Sequence, residues 1–265
     1  LDNAAEPNPG ILQQEAYWLE PWAKWWLYGM RADNTYFKMN DHNNNQEFNN
    51  IVYLMVRMLA SEYNDEEAQW FATNILGPSC CDRNGKPLVL NAGEDYIPDI
   101  LWHNASLQSI QPTSTSLPLS KYFRKIGNVF MRESWDPESV IAHFASKEYY
   151  TQGHGHLDNL AFSIYYKGGQ ALEGGIYDEY GNPHHKNYYQ RTIAHNSITI
   201  FDPNEKFCEA RGSGHSSDYD ACTGIAIRSN DGGQRIEKPI NPIASQIRST
   251  QDLTPLPRHV DDLIY

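Results

Sequence analysis

The chain has 265 residues, with 21 basic and 33 acidic side chains for a formal net charge of −12. A length of this order holds one large or two ordinary domains, and 40% hydrophobic with 12% aromatic content supports a real core, which excludes wholesale disorder. No run reaches the roughly 18 apolar residues of a membrane span, and the acidic balance repels polyanions, so neither membrane insertion nor nucleic acid is expected.

Two textures follow one another, with a seam near residues 108–118. The first is helical. Between residues 17 and 30, Trp18, Leu19, Trp22, Trp25, Trp26 and Met30 recur at spacings of three and four, the stripe of a helix packed on a neighbour, with Pro21 in its first turn. These tryptophans are read as core rather than as a sugar-stacking platform. Residues 36–45 read as a loop with a short extended piece; Asp41 to Asn45 is a capped loop, since it lacks the glycine and terminal glutamate of a calcium hand. A second helix is expected over 46–63. A third opens at Asn64 or Asp65, carries Trp70, Phe71, Ile75 and Leu76 inward, and stops at Gly77-Pro78.

The seam is rich in serine, threonine and proline, as a linker or exposed loop is. Beyond it, residues 128–132, 140–145, 159–166, 170–177 and 197–201 alternate with period two between glycine, proline and acidic turns, the pattern of a stacked β domain. The domain expectation is therefore helical over 1–115 and β over 116–265. Four cysteines, two of them adjacent, are too few for a disulfide scaffold.

Five of the ten histidines fall between residues 154 and 195. In Gly153-His154-Gly155-His156-Leu157-Asp158 two imidazoles stand two apart, a spacing that in a strand puts both on one face. Glu173 and His195 lie on later runs. If the fold brings them to His156, two imidazoles and a carboxylate make a zinc site; if not, the pair is an ordinary hydrogen-bonded or surface feature. His184 and His185, in a polar loop, are read as solvated.

The run from 153 to 207 resembles the heparinase II/III-like polysaccharide lyases, with heparinase II nearest in pattern. The likeness is carried by His154-Gly155-His156-Leu157-Asp158, by Ile164-Tyr165-Tyr166-Lys167-Gly168 and by Asn187-Tyr188-Tyr189-Gln190-Arg191-Thr192-Ile193-Ala194-His195-Asn196-Ser197. Asp202-Pro203-Asn204-Glu205 continues it, and Leu27-Tyr28-Gly29-Met30-Arg31-Ala32-Asp33 is a weaker echo. The resemblance implies an α+β multidomain chain: the C-terminal part of an α/α toroid, then an antiparallel β-sandwich, truncated at both ends.

By position, the resemblance makes His156, Glu173 and His195 the ligands of one zinc ion of mainly structural role, and His154 the catalytic residue. Glu173 stands where one member of the family carries aspartate. Tyr177, Tyr180, Tyr188 and Arg191 fall where the family builds its substrate cleft. The implied reaction is β-elimination at a uronic acid of an anionic polysaccharide, with the catalytic tyrosine upstream of Leu1; Tyr17 and Tyr28 are read as core. With so acidic a chain, the substrate must be drawn in locally by Lys186, Arg191 and the imidazoles. The implied setting is the periplasm or outside of a bacterium, and a homodimer is an expectation. Two rivals are a cupin-like metal enzyme, whose glutamate follows its histidine pair more closely than Glu173 does, and a carbohydrate-binding module that keeps zinc without catalysis.

Overall fold

A computed structural model describes residues 16–42, 48–77, 95–124, 126–136, 138–147, 154–180, 182, 184–201, 203 and 232–234. The side chains of Tyr17, Trp18 and Lys186, the four cysteines, and Asn43 to Asn45 lie outside these.

Helix α1 (Ala16–Gly29) buries Leu19, Ala23, Leu27 and Tyr28, one stripe at helical spacing. Pro21 lies inside it rather than in the first turn, so the helix forgoes one backbone hydrogen bond there and is held by its buried face instead. Trp22, Trp25 and Trp26 pack edge-to-face against the core, the last two with ring centroids 4.6 Å apart, and Trp26 meets Tyr36 at 5.1 Å. They are core, as the spacing indicates.

Helix α2 (Asn50–Tyr63) begins later than expected because the Asn49 side chain caps it, accepting from the Val52 N–H at 3.0 Å. Asn64, in the left-handed region at φ 51°, ends it by donating to the Ala60 carbonyl. Asp65 then caps α3 (Glu66–Phe71) and takes an ion pair from Lys24 of α1 at 2.5 Å. A π-helical turn, Ala72–Leu76, follows and stops at Gly77.

Helix α4 (Tyr96–Leu101) carries no inward apolar stripe: Ile97, Ile100 and Leu101 are exposed. It docks on α2 through polar contacts. Asn50 donates to Asp95 at 2.8 Å, the Tyr53 hydroxyl to Asp99 at 2.6 Å, and Arg57 pairs with Asp99 at 2.7 Å.

The β half is an antiparallel meander of five strands in chain order: β1 (Ser120–Phe123), β2 (Asn128–Arg132), β3 (Ile141–Ala145), β4 (Phe162–Tyr165) and β5 (Gly169–Ala171). Strand β1 escapes period-two reading because Ser120, Lys121 and Tyr122 are all exposed on an edge. The run 170–177 leaves the sheet after Ala171, and 197–201 forms no strand; the Ile200 N–H bonds to the Gly232 carbonyl at 2.6 Å. Among the described residues this is the one sheet, and they hold no second layer of a sandwich.

One core spans both halves. Phe130 on β2 is fully buried, meets Trp25 at 6.1 Å and lies so close to Gly29 that a Cβ there would stand 3.2 Å from its ring. Arg132 donates to the Tyr28 and Met30 carbonyls at 2.9 and 3.1 Å, capping the C-terminal end of α1 from the sheet, with its guanidinium 4.1 Å from the Trp135 ring centroid. Burial lowers the Arg132 pKa to about 10, still charged at neutral pH.

Gly127, at φ +68°, lets β2 begin against the segment after β3: a Cβ there would stand 2.3 Å from the Lys147 Cα. Gly127→Ala is expected to lower stability by roughly 2–3 kcal/mol, from left-handed strain plus a backbone clash. Urea unfolding measures it, and a change under about 0.5 kcal/mol would contradict the packing.

Candidate functional site

The site forms where a loop of the helical half enters the turns of the β half. Beyond the Met30–Tyr36 bridge the chain runs through Lys38 to His42, with Asn40 in the left-handed region at φ 55°. Three side chains pin this loop. The Tyr189 hydroxyl donates to the Asn40 and His42 carbonyls at 3.1 and 3.2 Å. Lys147 reaches the Asn40 side chain at 3.1 Å while also pairing with buried Asp158. Lys38 donates to the Gly175 carbonyl at 2.5 Å.

At the loop's tip the Asp41 carboxylate, 2% exposed, meets three imidazoles. Oδ1 accepts from Nε2 of His156 and of His185, each at 2.8 Å, and Oδ2 from Nδ1 of His154, also at 2.8 Å. Burial pushes the Asp41 pKa up, but the hydrogen bonds from His156, His185 and His154 outweigh it and hold the carboxyl well below the usual carboxylate range. Burial lowers the His156 pKa, so His156 is neutral, with its one N–H given to Asp41. Its Nδ1 then carries the lone pair.

That Nδ1 is buried and has no hydrogen-bond partner, and neither does either ring nitrogen of buried His195. The His156 and His195 ring centroids are 5.1 Å apart, and Glu173, 3% exposed, places Oε1 3.4 Å from His195 Nδ1. Local bonds explain the convergence. The Asn196 amide donates to the Phe162 and Leu172 carbonyls at 3.0 and 3.1 Å, and the Gly174 N–H donates to the Ala194 carbonyl at 2.8 Å, which sets Glu173 beside His195. Thr192 ties its hydroxyl to the Leu157 carbonyl at 2.7 Å, bringing the His156 segment in.

Of the expected ligand set, His156 and His195 pack ring to ring and Glu173 lies beside His195. Orphaned imidazole nitrogens beside a carboxylate have the chemistry to suit a divalent metal of zinc type. Among the described residues the set whose ligand atoms all lie within 4.8 Å of one another is a different one, Asp41, His156 and His185.

The segment 154–158 is not a strand, yet both imidazoles of the pair reach the same carboxylate. They differ in exposure: the His154 side chain is 71% exposed and that of His156 fully buried. Tyr180 lies beside them, its ring 5.3 Å from that of His154 and 5.0 Å from that of His185. Tyr177 meets the His185 ring at 5.8 Å, and exposed Tyr188 packs on His184 at 5.6 Å. Arg191 is buried, 4% exposed.

Two readings of polar loops are corrected. His185 is not solvated but fully buried, because the π-helical turn His185–Tyr189 turns its ring onto Asp41; His184 alone faces outward, bonded to the Ile176 carbonyl at 3.1 Å. Asp41 is not merely a loop cap but the hub of the cluster. More than a hundred positions separate it from each histidine, and no local pattern marks it.

The stretch that carries most of this site is similar to a known domain family. Residues 115–239 match the family model "Heparinase II/III-like, C-terminal", a span that includes all four histidines of the cluster and Glu173 but not Asp41. The match is to the domain shared across that family, a coarser likeness than one to heparinase II. No curated protein sequence matches the chain. Similar solved structures include heparan sulfate lyase HepC from Pedobacter heparinus, at 16% identity over 71% of this chain and 25% of that one, with a TM-score of 0.45. Another is the heparinase III BT4657 gene product, at 18% identity over 69% and 24%, with a TM-score of 0.42. The chain spans about a quarter of the length of these structures. Among the described residues no helix is long and apolar enough to cross a membrane.

Proposed function

We propose that this chain carries the metal site and one wall of the catalytic cleft of a heparinase II/III-like polysaccharide lyase, acting on a uronic-acid-containing anionic polysaccharide in the periplasm or outside the cell. The observation that carries the reading is His154: an exposed imidazole bonded at Nδ1 to a buried, ionised carboxylate, within the stretch that matches the family model. An imidazole that donates from Nδ1 keeps its lone pair on Nε2, where it can take a proton from a substrate.

In the proposed reaction His154 Nε2 removes the C5 proton of the uronate. The C–H electron pair forms the C4=C5 double bond, the C4–O bond breaks, and the departing oxygen takes a proton to leave as a hydroxyl. His156, Glu173 and His195 would hold zinc, which supplies a structural cross-link among the turns that carry His154. Asp41 orients both members of the histidine pair from the opposite half of the chain.

The test is mass spectrometry of products after incubating a panel of uronate polymers with this chain and with a form extended upstream. An end unit lighter by one water than a hydrolysis product is the expected signature. Polysaccharide binding and stoichiometric zinc with no such product from either form would overturn the lyase in favour of a carbohydrate-binding module.

A further inference from the structure

The proposed base works in only one tautomer, and the group that selects it comes from outside the stretch that matches the family. We infer that Asp41 is a positioning residue: its buried carboxylate holds the His154 ring in place with the proton on Nδ1 and the lone pair on Nε2. The kinetic part of this inference rests on the lyase reading; the tautomer part does not.

An ionised carboxylate only accepts hydrogen bonds, so each ring nitrogen that faces it must carry hydrogen. Asp41 Oδ2 faces Nδ1 of His154 at 2.8 Å, while Oδ1 is occupied by His156 and His185. The two oxygens are therefore not interchangeable. Among the described residues Asp41 is the one polar partner of the His154 ring, whose remaining neighbour is the Tyr180 ring. An imidazole as exposed as this one has little else to fix its rotamer.

The carboxylate, by contrast, is held on all sides. Tyr189 and Lys147 grip Asn40, Tyr189 also grips His42, and the Asp41 N–H donates to the His154 carbonyl at 3.3 Å. These bonds tie the loop to the β half on both sides of Asp41.

Asp41→Asn tests this with almost no change in shape. The side-chain oxygen stays with the two buried imidazoles, and the new NH2 faces His154 Nδ1, which must then accept. The proton moves to Nε2 and the base loses its lone pair. Nitrogen-15 spectra of the imidazoles, recorded without substrate at a pH where they are neutral, are expected to show Nδ1–H for His154 in the unmodified protein and Nε2–H in the variant. With zinc in excess, the variant is expected to keep one zinc per chain, lose about 10³–10⁴-fold in kcat as other aspartate–histidine pairs do on the same change, and hold KM within about threefold.

An Nε2–H tautomer in the unmodified protein overturns the inference without any variant. So does a folded Asp41→Asn protein with unchanged kcat, and so does complete loss of zinc from it, which would make Asp41 a ligand. If the tautomer is as expected and moves in the variant, but the unmodified protein yields no unsaturated product from any polymer, the positioning role stands and the lyase reading fails.

Discussion

His154→Ala is expected to lower turnover by about 10²–10⁴-fold, the usual contribution of a positioned general base, with the fold and zinc content unchanged. The two effects separate because of where the ring sits. The His154 side chain is 71% exposed, so its removal opens no cavity, and water can take its place on Asp41 Oδ2. Asp41 keeps two buried donors, His156 and His185. The stability change should therefore stay within about 1 kcal/mol, the worth of one ordinary hydrogen bond. Product formation and thermal unfolding measured on the same preparation decide it. Undiminished elimination by a folded variant would remove His154 from the chemistry.

The second large effect is expected on removing the proposed zinc. His156 and His195 bury three ring nitrogens without hydrogen-bond partners, and Glu173 is almost wholly buried beside them. Each unpartnered buried polar group costs about 1–3 kcal/mol, a large share of the 5–15 kcal/mol by which domains are stable. Structural zinc contributes on the order of 10 kcal/mol in zinc-finger peptides, more than enough to reverse that cost. Chelation is expected to unfold the sheet half together with the loss of activity, followed by near-ultraviolet circular dichroism and restored by adding zinc back.

A stable, folded but inactive zinc-free protein would show that the metal does not hold the fold. Single variants locate the ion. His195→Ala and Glu173→Ala should each lose zinc while His185→Ala retains it. The reverse pattern would put the ion among Asp41, His156 and His185, whose ligand atoms lie within 4.8 Å of one another.

Local signals in the sequence are those whose physics is local. The Asp65 cap satisfies orphan N–H groups within its own helix, and the alternation in Asn128–Arg132 and Ile141–Ala145 follows from one face of each strand packing inward. Elements held by distant polar partners leave no such trace. Helix α4 is fastened by Asp95 and Asp99 to residues more than forty positions away, and its apolar side chains face outward, which hides it from any amphipathic pattern. Strand β1 is hidden in the same way by its exposed edge.

The candidate site divides along the same line. The chain by itself determined the donor types and their grouping: a histidine pair, a glutamate between glycine doublets, and a histidine before Asn196, because chemistry sets which side chains can bind a metal or move a proton. Tertiary structure alone decided how they are used. It turned His154 outward and His156 inward from the same short turn, buried His185 and Arg191, and brought Asp41 from the helical half to join three imidazoles. Those outcomes depend on the desolvation and hydrogen bonding of groups up to 144 positions apart, and such energies exist only once the chain has brought the groups together.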